Sequence, residues 1–273
     1  MMKIISLGMG VQSTALWYMS SFGYMDRADY AIFADTGAEK TATVEYFHKI
    51  KDTPDSVPII RADRKNIYTD LMNKSNSSGN RFASIPAFTG SGSGMLRRQC
   101  TSEYKISQVD RVIKELYGLT GRQRFPKTEI WYGITQDEMH RMSIPQQKWK
   151  INVYPFVGYK IFSDGRHEQF SSKFYRRNDI IEFYKEIEWI PPVKSSCFFC
   201  PYQNNSNWLF LKNNYPEDFK KAIKVDEQIR NSSKRGIKEP IYVHRSCKPL
   251  KEIDFSNVQG DLFDDECSGN CMI

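Results

Sequence analysis

Long apolar runs are missing from this 273-residue chain. None approaches the roughly 20 residues of a membrane span, so no bilayer-crossing helix is expected. No secretory leader is expected either, since Met1-Met2-Lys3-Ile-Ile leads straight into a strand pattern, and the cytoplasm is the expected compartment. Histidine is scarce, at four residues, and His48, His140 and His167 show no ligand spacing. No internal repeat is visible, which excludes a solenoid. One sign of charge is under-represented: 32 acidic against 39 basic residues leave a net charge of +7. That balance suits an anionic ligand such as a nucleotide and permits nucleic acid. The basic residues are spread, with only short clusters at Arg97-Arg98 and Arg176-Arg177, so a solvated basic surface is the other reading.

What is present is a globular composition, 40% hydrophobic and 26% charged. The length allows one sizeable core with accessories or a small second lobe. The first 70 residues alternate. Strands are expected at Lys3–Leu7, Tyr30–Ala34 and Pro58–Arg61, and helices near Gln12–Ser21, Ala42–Lys51 and Asn66–Met72. Such alternation predicts an α/β fold, a parallel sheet wrapped by helices. Residues 74–94 are rich in Ser, Asn and Gly. They read as a turn-rich loop, either a mobile cover of the active site or a plain surface loop. Further on, a helix is expected at Ser102–Tyr117, a strand at Thr128–Ile134, a short apolar segment at Val153–Val157 and a helix at Arg177–Trp189. Helical patterns return at Asn207–Lys212 and Pro216–Arg230.

The most telling stretch is Ser6-Leu-Gly8-Met-Gly10-Val-Gln12-Ser13-Thr14, followed by a strand ending in Asp35-Thr36-Gly37. Both polar loops fall at strand carboxyl ends, where open α/β sheets bind ligands. The glycines allow a tight turn, and Ser13 and Thr14 fall at a helix start suited to phosphate or sulfate. A purely structural turn is the alternative. The loop has no lysine and so lacks the common P-loop form.

Six cysteines, in an intracellular setting, favour metal or thiol chemistry over structural disulfides. Cys197-x-x-Cys200 can place two thiolates on one metal; a redox dithiol and packed core cysteines are the alternatives. Cys100 follows Arg98-Gln99 at a helix start, where a thiolate is stabilised. Glu138 and Arg141 can pair with each other. His244-Arg245 reads as a surface basic pair, or as a phosphate contact at a strand end.

The Gly8–Ser13 loop resembles the PP-loop of adenine-nucleotide alpha hydrolases. Its Gln12 is closest to the Ser-Phe-Gly-x-Gln form of phosphoadenosine phosphosulfate (PAPS) reductases, as is Asp35-Thr36-Gly37 with Glu45 and Phe47 beyond it. The chain is similar to a divergent member of that family, which includes phage-encoded proteins. The resemblance implies a HUP-like (PP-loop) sheet between helices over residues 1–190. It also implies a mainly helical cysteine-containing section over 191–255, and an acidic tail over 256–273. It implies an adenine nucleotide (ATP, PAPS or APS) held by Ser6, Gly8, Gly10, Gln12, Ser13, Thr14, Asp35, Thr36, Gly37, Arg98 and Gly133, with Mg accompanying a triphosphate. Lys105 and Arg141 would supply positive charge. Glu266-Cys267 is similar to the reductases' Glu-Cys-Gly tail and implies a nucleophilic Cys267; with Cys271 it could instead form a ligand or resolving pair. Cys100, Cys197 and Cys200 match three ligands of the iron–sulfur reductases' [4Fe-4S] site. Cys247 or a tail cysteine would be the fourth, and zinc is the alternative metal. Thr135 and Gln136 stand where the family has paired arginines, which weakens charge-assisted pairing there. Two reactions follow: reductive cleavage of a phosphosulfate, with a thioredoxin-like donor, or ATP-dependent sulfur transfer to tRNA or DNA. A non-catalytic nucleotide- or nucleic-acid-binding protein is the reading of another class. No membrane partner is implied.

Overall fold

The computed structural model describes residues 1–79, 85–92, 94–231 and 239–255. Its centre is a seven-stranded sheet of order β3-β2-β1-β5-β6-β7-β8. The strands β1 (Met2–Ser6), β2 (Tyr30–Ala34), β3 (Ile59–Ala62), β5 (Thr128–Trp131) and β6 (Lys150–Tyr154) run parallel. An antiparallel extension, β7 (Tyr159–Phe162) and β8 (His167–Gln169), follows. This is the α/β architecture expected, a mainly parallel sheet between helices, with the antiparallel β7–β8 edge added. Chain order runs outward from β1 to β3 and then returns to β5 on the other side of β1. The crevice between β1 and β5 is therefore a topological switch point, where such sheets bind ligands.

Strand alternation places the two faces. Ile5, Phe33 and Trp131 face α1 (Val11–Ser21), α2 (Thr41–Ile50) and α5 (Arg177–Glu186), with Trp17, Phe47 and Phe183 in one core. Ile4, Ile32 and Ile130 face α4 (Ser107–Leu116) through Val109, Val112 and Ile113. The expected helix over 102–117 is in fact a π-helical stretch, Thr101–Ile106, that passes into α4. Wider turns of this kind recur at functional sites. The expected strand 128–134 ends at Trp131, because Gly133 belongs to the loop packed on α1.

A third core joins the helical section to α3 (Ile67–Met72) and to the π-helical stretch. It combines α3, Ile85, Ala87 and Tyr104 with Phe198, Phe199, α6 (Asn205–Asn214) and α7 (Pro216–Arg230). The turn-rich 74–94 region is thus partly core: Ile85 and Ala87 are buried, and β4 (Phe88–Thr89) pairs with β9 (Ile241–Tyr242). Apolar anchoring there outweighs the Ser/Gly composition. Docking is also polar. Asp218, buried on α7, accepts from Thr41 N–H at 2.7 Å and its hydroxyl at 3.0 Å, capping α2 from across the molecule. Asp226 accepts from the N–H groups of Val243 and Leu250, both at 3.0 Å, and so ties the last described segment to α7.

Among the described residues no helix is long and apolar enough to cross a membrane.

Candidate active site

The loop after β1 turns on Met9, not on a glycine. Met9 takes φ 56° and is fully buried, whereas Gly10 is extended at φ −96°. The expectation that Gly8 and Gly10 make the turn is corrected: burial of the Met9 side chain carries the strained backbone. The Ser13 hydroxyl braces the loop. It accepts from Gly8 N–H at 3.2 Å and Gly10 N–H at 3.3 Å, and lies 3.2 Å from the Gly10 carbonyl to which it donates. Gly133 closes the other wall. A Cβ there would lie 2.8 Å from Gln12 C and O and from Ser13 N. Backbone thus packs on backbone, and only glycine fits.

Ser6, Gly10, Gln12, Ser13, Gly133 and Arg141 line one pocket of about 370 Å³. The Gln12 amide donates to Thr135 Oγ1 and Glu138 Oε2, both at 3.0 Å, and Arg141 pairs with the same Glu138 oxygen at 2.5 Å. The Glu138–Arg141 pair foreseen in the sequence therefore exists, and it neutralises the arginine inside the pocket. Thr14 is buried beside Tyr184 and lines no part of this pocket.

Ser6 also opens into an apolar slot of about 510 Å³. Ile32, Ala34, Val109, Ile130 and Tyr132 wall it, with Lys105 and Lys150 among its polar residues. Lys150 pairs with Asp110 at 2.5 Å. Burial pushes the Asp110 carboxyl above its ordinary value, and the lysine opposes this.

Thr101 and Lys105 line the slot and also a third cavity, of about 620 Å³. This cavity brings together Thr36, Arg98, Cys100, Cys197 and Cys200, which are far apart in sequence. The Cys-x-x-Cys turn is stitched to the Asp-Thr-Gly loop: Phe198 N–H donates to the Ala38 carbonyl at 2.9 Å, and Thr36 Oγ1 lies 3.4 Å from Cys197 Sγ. Burial pushes the Cys197 thiol well up, helped by the Glu39 carboxylate and opposed by Lys105 and Thr36. Glu39 is buried. Its Oε1 accepts from Thr36 at 3.1 Å and lies 3.6 Å from Lys105 Nζ, while its Oε2 has no hydrogen-bond partner.

Asp35 lies at the strand end as expected, but its carboxylate is engaged. Arg61 reaches Oδ2 at 2.5 and 2.9 Å, and Gly37 N–H donates to Oδ1 at 2.8 Å. Gly37 is required, because its φ is 74° and a Cβ would meet Asn66 at 2.5 Å. Arg98, placed with the nucleotide in the sequence, lines the cysteine cavity instead, 6.0 Å from the Tyr202 ring.

Cys247 does not join the other three. Its thiol donates to the Thr89 carbonyl at 3.2 Å, in the β4–β9 region, and it lines no part of the cysteine cavity. Cys267 and Cys271 lie outside the described residues. Among the described residues no group of three or more His, Cys, Asp or Glu side chains is arranged to hold a metal. The described thiols therefore do not supply the four-ligand set of a [4Fe-4S] site.

His244 is corrected as well. It is 3% exposed, not on the surface, with ring nitrogens 2.8 Å from Ser246 Oγ and 3.0 Å from Asn205 Oδ1. Burial, then the Arg245 charge, lowers its pKa to about 4. Residues that sequence reasoning missed are Glu39, Ser195, Ser196, Tyr132 and Lys150. Glu39 stands two places after Gly37, and the two serines directly precede Cys197, which were signals of a sort.

No family model matches the chain, and no curated protein does. Among solved structures it is similar to the phosphate complex of phosphoadenylyl-sulfate (PAPS) reductase from Candida auris. The identity is 12%, 70% of this chain and 74% of that chain are covered, and the TM-score is 0.41.

Proposed function

We propose that this chain is an adenine-nucleotide-binding enzyme of the PAPS reductase kind, acting in the cytoplasm on sulfur through thiols. One observation carries the reading. Three cavities are chained along the carboxyl edge of the sheet, Ser6 joining the loop pocket to the slot and Thr101 and Lys105 joining the slot to the cysteines. The loop pocket takes the anionic end of the nucleotide, on the N–H groups of the first turn of α1, with Arg141 released to it only as its pairing with Glu138 loosens. The slot takes the flat base between Ile32, Val109 and Tyr132. Lys105, reaching both neighbouring cavities, stabilises charge that develops on the leaving group.

In the reductive reaction a Cys267 thiolate attacks the sulfonate sulfur. The sulfur–oxygen bond breaks, and the nucleotide leaves with the electron pair on its phosphate oxygen. A second thiol then attacks the Cys267 sulfur, forming a disulfide and releasing sulfite. A dithiol protein of the thioredoxin class supplies the two electrons that restore Cys267.

Glu138 favours a second reading. A carboxylate beside Arg141 offsets the cation that a sulfonate would use, and suits a Mg-bound triphosphate. In that case a carbonyl oxygen of a tRNA or DNA base attacks the α-phosphate of ATP, pyrophosphate leaves, and a hydrosulfide-level sulfur donor then displaces AMP from the adenylated base. Assaying the full chain for sulfite from a phosphosulfate plus dithiol, and for pyrophosphate from ATP, separates the two. The expected result is sulfite release that Cys267→Ser abolishes. Neither product, with Cys267→Ser indistinguishable from the parent, would leave a non-catalytic binder.

A further inference from the structure

The cysteine cavity contains two hydroxyls that the reading above does not use. Ser196 is 9% exposed, and its Oγ has no hydrogen-bond partner; Ser195 Oγ is also buried without one. Both line the cavity, beside Arg98 and Lys105 and next to three thiols. A buried hydroxyl left unmatched is costly, so two in succession beside a cavity are unusual unless something bound there meets them. The buried Glu39 carboxylate lies outside the lining, 3.6 Å from Lys105 Nζ, and balances that lysine in part. Arg98 and Lys105 with two hydroxyl donors, all lining one space, suit a small oxyanion.

We propose that this cavity is a binding site for a free oxyanion of sulfite, sulfate or phosphate size, held by Ser195 and Ser196 between Arg98 and Lys105. It is distinct from the loop pocket. The two share no lining residue, although a Cβ at Gly10 would come within 4.0 Å of Ser195 Cβ. The occupant's role, as the released sulfur oxyanion kept beside the thiols, rests on the proposed function. Its binding does not.

The test is the rate at which iodoacetamide alkylates Cys100 and Cys200 in the full chain, read by mass spectrometry. Sodium sulfate is compared with potassium chloride at equal ionic strength. Sulfate should slow alkylation at least about threefold and saturably. The Ser195→Ala/Ser196→Ala double variant should lose that protection. Its thermal midpoint should be unchanged or raised, because removing an unmatched buried hydroxyl is nearly neutral. Arg98→Gln provides a second variant and should weaken the protection. Equal protection by chloride, or full protection in the double variant, would overturn the proposal. A parent protein that binds no nucleotide but keeps sulfate protection would overturn the proposed function and leave this site standing.

Discussion

The loop pocket and the cysteine cavity flank one apolar slot and are built on opposite principles. The loop pocket is closed largely on itself, although Arg141 Nε is left unmatched. Ser13 braces two N–H groups, Gln12 bridges Thr135 and Glu138, and Glu138 holds Arg141. The cysteine cavity is assembled from residues near positions 36, 98–105 and 195–202. It holds unmatched hydroxyls on Ser195 and Ser196, and Glu39 beside Lys105 keeps an unmatched carboxylate oxygen. The first end is preorganised by local backbone fit; the second depends on the helical section docking on the sheet and on what it binds.

Damage to either end should therefore look different. Gly133→Ala carries the largest expected effect. Its Cβ strikes backbone atoms of Gln12 and Ser13 that cannot step aside, so a loss of about 3 kcal/mol is expected. Nucleotide binding should fall with it, while the alkylation rates of Cys100 and Cys200 in the surviving folded protein stay near the parent's. Calorimetry and alkylation together check this. Asp218→Ala should do the converse. Removing the carboxylate that caps α2 from α7 should cost about 2 kcal/mol. It should speed cysteine alkylation more than it weakens nucleotide binding.

His244 gives the same comparison a pH axis. The native state keeps it neutral down to about pH 4, whereas the unfolded chain takes up the proton near 6.5. Between those values the unfolded state binds more protons, so stability falls as pH drops through the window and is complete above it. The contribution is on the order of 2 kcal/mol. Thermal midpoints from pH 7 to 4.5 should fall less steeply in His244→Gln than in the parent. Ser13→Ala should have the smallest effect on stability, about 1 kcal/mol, and its main cost should appear as roughly tenfold weaker nucleotide binding in calorimetry.

The parallel sheet was legible because Ile4-Ile5, Ile32-Phe33 and Ile130-Trp131 are buried on both faces and bounded by glycine-containing turns. The β7–β8 edge was not, since His167-Glu-Gln169 is polar and exposed and is held by pairing with its neighbour. The gathering of Cys100, Cys197 and Cys200 was legible through resemblance. Their separation from Cys247 was not, because Cys247 is placed by the β4–β9 pairing, a long-range contact with only two residues on each strand. Met9 hid its left-handed backbone behind two neighbouring glycines. Glu39, Ser195 and Ser196 carried no motif. Their significance lies in what they fail to bond, which only packing reveals.

The central claim is that a nucleotide lies in the slot between the loop pocket and the cysteines. Calorimetric titration of ATP and of adenosine phosphosulfate into the parent and into Val109→Trp tests it most directly, because Val109 walls the slot without touching the loop pocket. One-to-one binding to the parent, abolished when tryptophan fills the slot, is the predicted result. Binding that survives Val109→Trp undiminished, or no binding of either nucleotide to the parent at millimolar concentration, would contradict it.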